Sequence, residues 1–122
     1  MPLTLTLREK QSTFVQLVAQ LIEYATRHGY SMTFGEAYRT PEQAAWNAAH
    51  GVGITASLHT KRLAIDLNLF DSEGVYLTKT DAYLLLGIWW EAQSTPDYTC
   101  AWGGRFSRPD GNHFSLAHRG IR

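Results

Sequence analysis

Cysteine is nearly absent from this chain of 122 residues, charge of one sign is not in surplus, and long apolar runs are missing. The single thiol, Cys100, has no internal partner, which excludes a disulfide framework, a cysteine-based zinc knuckle and a redox pair, and suggests synthesis in a reducing compartment. Eleven Lys and Arg balance eleven Asp and Glu. Without a cationic surplus there is no general electrostatic grip on nucleic acid or anionic lipid, so neither is expected as a partner. No segment reaches the roughly 20 apolar residues of a membrane span, and the opening MPLTLTLREKQ has no basic start followed by an apolar run, so no signal peptide is expected in it. We expect a soluble product made in the cytoplasm.

What is present is enough for a core. Apolar residues make up 44% of the chain, and a domain of this size buries about two-thirds of its unfolded surface. We expect one domain over residues 1–122 that is stable without a structural metal, so that any metal would be functional.

Phe14, Leu17, Val18, Leu21, Ile22 and Ala25 recur at helical spacing between Arg8 and His28, and Gly29 closes that helix. Residues 31–39 alternate as a short strand, and Pro41 opens a short helix to Ala49. A loop is expected from Gly51 to Lys61. Leu63, Ile65, Leu67 and Leu69 then fall on one face of a strand, with Ala64, Asp66, Asn68 and Phe70 on the other. Asp71 to Gly74 reads as a turn, since it lacks the ligand spacing of a calcium loop. Thr78 or Thr80 is expected to cap a second long helix running through Ala82, Leu85, Leu86, Ile88 and Trp89 to about Gln93. A strand over residues 112–116 ends the pattern. The fold class is α+β, with helices packed on a small antiparallel sheet.

Asp66 is flanked by leucines and isoleucine and must be paired, hydrogen-bonded or metal-bound. His59 lies seven residues earlier, and we expect the two side chains on one side of an extended segment that reaches back to His59. His113 lies in the C-terminal strand, with Asp110 three residues before it. Two imidazoles, one carboxylate and an open position form a catalytic zinc set, and an unligated carboxylate beside it would serve as base. A structural His–Asp hydrogen bond is the competing reading. His28, His50 and His118 have no carboxylate at ligand spacing and read as capping or solvated side chains. Trp102 with Gly103 and Gly104 reads either as a groove wall approached closely by backbone or as a buried indole beside a turn.

The string Ser57-x-His59-x-x-x-x-Ala64-x-Asp66, followed by Trp102-Gly103-Gly104-x-Phe106-x-x-x-Asp110-x-x-His113-Phe114, resembles the zinc D-alanyl-D-alanine carboxypeptidase family. More narrowly it is similar to the phage endolysin branch, L-alanyl-D-glutamate peptidases that cut peptidoglycan stem peptides. Arg39-Thr-Pro-Glu-Gln43 matches a third family segment.

The resemblance implies one zinc ion on His59, Asp66 and His113, with Asp110 as general base. Arg39 would bind and polarise the substrate, and Ser57 and Gln43 would support that site; on the groove-wall reading Trp102 would line it as well. It also implies a bacterial peptidoglycan stem peptide as partner and a monomer. The protein would be made in the cytoplasm of an infected bacterium and reach the wall after release. The resemblance leaves D,D-carboxypeptidase activity and a non-catalytic zinc-containing binding module as other readings. Many relatives carry Gly three residues after the first zinc histidine, where this chain has Arg62.

Overall fold

The computed structural model describes residues 4–53 and 56–122. The start of the N-terminal segment and part of the expected 51–61 loop therefore lie outside the described residues.

Helix α1 spans Leu7–Arg27 and begins with a reciprocal capping box, in which Thr6 Oγ1 accepts from Glu9 N–H and Glu9 accepts from Thr6 N–H. Its buried stripe is Phe14, Leu17, Val18, Leu21 and Ala25, as the spacing predicts. Strand β1 (Ser31–Phe34) is shorter than expected. Helix α2 (Pro41–Ala49) starts on a Thr40 side-chain cap with Pro41 in its first turn.

Strand β2 (Ala64–Phe70) is the centre of the sheet. It pairs antiparallel with β1, with the two-residue β3 (Tyr76–Leu77), and with β5 (His113–Leu116). β5 in turn pairs with β4 (Cys100–Trp102). The strand order is β1-β2-β5-β4, with β3 on β2 outside this path.

The second helix departs from expectation. Residues Thr80–Tyr83 form a tighter 3-10 turn with no side-chain cap from Thr78 or Thr80, and the α-helix α3 covers only Leu84–Ala92. Its buried face is Tyr83, Leu86, Gly87 and Trp90, while Leu85 and Ile88 are exposed. The selection has a polar cause. Trp90 Nε1–H can donate to the carbonyls of Ala101 and Ser115, both at 3.1 Å, and Tyr83 Oη bridges Leu69 N–H and Leu77 O. A buried Trp or Tyr with partners for its polar tip outcompetes a leucine without need of one. Phe14 meets Trp90 edge-on and Trp90 meets Phe114 likewise, which joins α1, α3 and β5 in one core. No described helix is long and apolar enough to cross a membrane.

Candidate metal centre

Asp66 and His113 are direct cross-strand partners in the β2–β5 ladder. Facing residues of an antiparallel pair project to the same side of the sheet with their Cβ atoms about 4.5–5.5 Å apart, so this register alone brings the carboxylate to the imidazole. His113 Nδ1 lies 3.5 Å from Asp66 Oδ1.

His59 arrives differently from the expected extended approach. Seven residues of unbroken strand would put His59 and Asp66 on opposite faces, since side chains alternate. Instead Leu58–Lys61 form one 3-10 turn, capped by Ser57 Oγ accepting from His59 N–H. The turn ends at Arg62 in the left-handed region, at φ 57° and ψ 34°. This reversal resets the phase of the chain and returns His59 Nε2 to 3.4 Å from Asp66 Oδ1. Arg62 occupies the backbone conformation that glycine adopts more readily, and its guanidinium sits 4.0 Å over the Tyr38 ring.

The three ligand atoms lie within 4.8 Å of one another. Tetrahedral zinc with bonds of about 2.0–2.1 Å separates neighbouring ligand atoms by about 3.3–3.4 Å. The two His–Asp distances are close to that tetrahedral edge and long for hydrogen bonds. Asp66 Oδ1 is buried without a hydrogen-bond partner among the described residues, as a cation ligand would be before its ion binds. The donor set and its spacing therefore fit a divalent metal. His59 is oriented from behind by its other nitrogen, with Nδ1 3.2 Å from Ala37 O, an outer contact typical of metal-binding histidines.

The electrostatics follow from this packing. His59 and His113 are 4% and 6% exposed. Burial pushes the Asp66 carboxyl up, but the adjoining imidazoles of His113 and His59 overcome it and hold it at about 2. Burial pushes His59 down, yet Asp66, the Ala37 carbonyl and Glu36 together leave it above its ordinary value.

Asp110 adjoins the cluster through the turn that leads into His113. Its carbonyl accepts from His113 N–H at 3.1 Å, and its N–H donates to Gly103 O at 2.9 Å. Desolvation, followed by the charge of Asp66, raises the Asp110 carboxyl, with His113 and His59 pulling the other way. A carboxylate whose pKa is raised by its surroundings is a candidate proton acceptor.

Arg39 donates its backbone N–H to His59 O at 3.1 Å and pairs through Nη2 with Glu36 Oε1. Glu36 lies at the site although its sequence pattern shows it only as a residue of the expected 31–39 strand. Its signal was a lone Glu three residues before Arg39. Gln43 lies on exposed α2, with its side chain bonded to Asn47 rather than to any residue of the cluster. Ser57 acts through the backbone of the His59 turn.

Trp102 follows the buried-indole reading and not the groove-wall one. The side chain is buried, at 3% exposure, and Nε1–H donates to Gly111 O at 2.7 Å. A Cβ on Gly87 or Gly104 would come within 2.1 and 2.3 Å of the indole, so the ring is slotted between two glycines beneath the Asp110 loop. His28 and His50 cap their helices, each with Nδ1 on the carbonyl four residues earlier. His118 Nδ1 lies 3.2 Å from Lys10 Nζ.

Residues 50–116, which include all three candidate metal ligands and Asp110, match the profile of the M15 peptidase family described as D-alanyl-D-alanine carboxypeptidase. The chain belongs to this family. By that membership it is a metallopeptidase of a family that is in general zinc-dependent. No curated protein matches its sequence. Among solved structures, the fold is similar to that of the Serratia marcescens L-Ala D-Glu endopeptidase ChiX, with a TM-score of 0.73 at 19% identity. That match covers 98% of this chain and 92% of the other.

Proposed function

We propose that this M15 peptidase is a zinc-dependent peptidoglycan hydrolase that cleaves the L-Ala–D-Glu amide of stem peptides. The observation that carries the reading is the cluster of His59, Asp66 and His113, with both His–Asp distances near a tetrahedral edge and the charged Asp110 close by. The fold likeness to an L-Ala D-Glu endopeptidase over nearly the whole chain supports the choice of bond.

His59, Asp66 and His113 would hold one ion, which when bound supplies Lewis-acid polarisation and makes a water acidic enough to attack near neutral pH. Asp110 takes the proton of the attacking water as the tetrahedral carbon forms. It then returns that proton to the departing D-Glu amine, which balances the hydrolysis. Arg39 offers a planar fork of donors to the developing oxyanion or to a stem-peptide carboxylate. Ser57 holds the His59 turn, and Gln43 belongs to the outer substrate surface. We further propose one domain acting as a monomer, made in an infected bacterium and used in host lysis after release to the wall, as in phage endolysins.

The family description favours a second reading, removal of a terminal D-Ala by the same chemistry. Mass spectrometry of muropeptides after digestion separates the two. Stems freed at L-Ala support the endopeptidase, and loss of a single D-Ala supports the carboxypeptidase. Cleavage that persists in full after chelation would overturn the metal mechanism, and a zinc-loaded protein that cleaves nothing would indicate a binding module.

A further inference from the structure

Between β1 and α2 the chain does more than connect them. Gly35 N–H donates to Asp66 O at 2.7 Å, Asp66 N–H donates to Glu36 O at 2.8 Å, and Arg39 N–H donates to His59 O at 3.1 Å. The Ala37 carbonyl meets His59 Nδ1 at 3.2 Å. Residues 35–39 thus fasten the backbone of two candidate metal ligands and the ring of one. Within this clasp, the side chains of Glu36 and Arg39 pair with each other, and Glu36 Oε1 also lies 3.7 Å from His59 Nδ1.

An arginine side chain has several rotatable bonds, and fixing it costs entropy that a substrate contact would otherwise have to overcome. Glu36 engages one terminal nitrogen. Arg39 Nε is left buried and without a hydrogen-bond partner among the described residues. A buried donor without a partner carries a desolvation cost that an incoming oxygen would relieve. Glu36 also balances the charge of Arg39.

We propose that Glu36 is a positioning residue that locks the Arg39 guanidinium and reserves its Nε–H for an oxygen of the substrate. The inference rests on the peptidase reading for the nature of that oxygen, but the lock itself is a property of the free protein.

The test uses the zinc-loaded full chain and three variants, Glu36→Gln, Glu36→Asp and Arg39→Ala, with the Glu36→Gln/Arg39→Ala double variant closing the cycle. Nitrogen-15 NMR of the arginine side chains reads the lock directly, since a held guanidinium gives a sharp, shifted Nε–H signal. Glu36→Gln is expected to move and broaden the Arg39 signal, while zinc affinity measured by chelator competition stays within about 3-fold. On muropeptides, Glu36→Gln should lower kcat/KM by about 10- to 100-fold, Glu36→Asp should recover part of it, and the Glu36→Gln effect should vanish in the Arg39→Ala background. An unchanged Arg39 signal in Glu36→Gln, or an equal loss in the presence and absence of Arg39, would overturn the proposal. If the parent protein cleaves no muropeptide, the functional reading fails while the NMR result still decides the role of Glu36.

Discussion

Gly103 and Asp110 touch so closely that a Cβ on Gly103 would sit 2.2 Å from the Asp110 carbonyl oxygen and 2.8 Å from His113 Cβ. Backbone cannot yield as a flexible side-chain tip can. Gly103→Ala is therefore expected to displace the 110–113 turn, costing about 1–3 kcal/mol of stability and weakening metal binding. Thermal denaturation and zinc competition check both, and a variant with parental metal affinity would show that the turn tolerates the shift.

Asp110→Asn keeps size and polarity but cannot accept the proton. We expect zinc content unchanged by elemental analysis and turnover reduced by about 100- to 10,000-fold. Full activity in this variant would remove Asp110 from the mechanism.

His59→Ala or His113→Ala should abolish stoichiometric zinc binding, because neither leaves three ligands. Activity should fall to background and not return on adding excess zinc, whereas chelated parent protein should recover on zinc addition.

In the metal-free protein, stability should depend on pH through the ligand cluster. The Asp66 pKa falls from 3.8 to about 2 on folding, so its contribution is full above its unfolded value and is lost as pH falls from about 4 toward 2, on the order of 2 kcal/mol. His59 is raised above 6.5, so its contribution is full below that value and is lost as pH rises through the higher folded one. Chemical denaturation in chelator should find a maximum between about pH 4 and 6.5. A flat profile over the acid limb would contradict the Asp66 assignment. Zinc affinity should rise with pH over the range where His59 loses its proton.

Trp102→Phe removes the Nε1–H bond to Gly111 O but keeps most of the buried ring. As a strut, it should cost about 1–3 kcal/mol in stability and leave KM close to parental. A large rise in KM with unchanged stability would restore the groove-wall reading.

The legibility of this fold was uneven for physical reasons. The α1 stripe and the alternation of β2 were plain because each element buries one face against a continuous core. The capping roles of His28 and His50 were equally local. The approach of His59 is not legible, since a left-handed Arg62 is invisible to a periodicity that assumes regular backbone. The buried face of α3 was misjudged because Trp90 and Tyr83 choose it through carbonyls far along the chain. Three separated motifs pointed to His59, Asp66 and His113, whose meeting depends on strand register. Glu36 escaped notice because its partner Arg39 lies on an irregular segment, where no helical or strand spacing flags a pair.

The pairing of Asp66 with His113 also sets an order of events. More than a third of the chain separates these residues, so β2 must wait for β5 before the ion can be gripped. A growing chain presents His59 and Asp66 before His113, so on the zinc reading it would offer only two of the three ligands until then. On the zinc reading, tight metal binding would therefore be coupled to the closing of the sheet and not to any local segment of it.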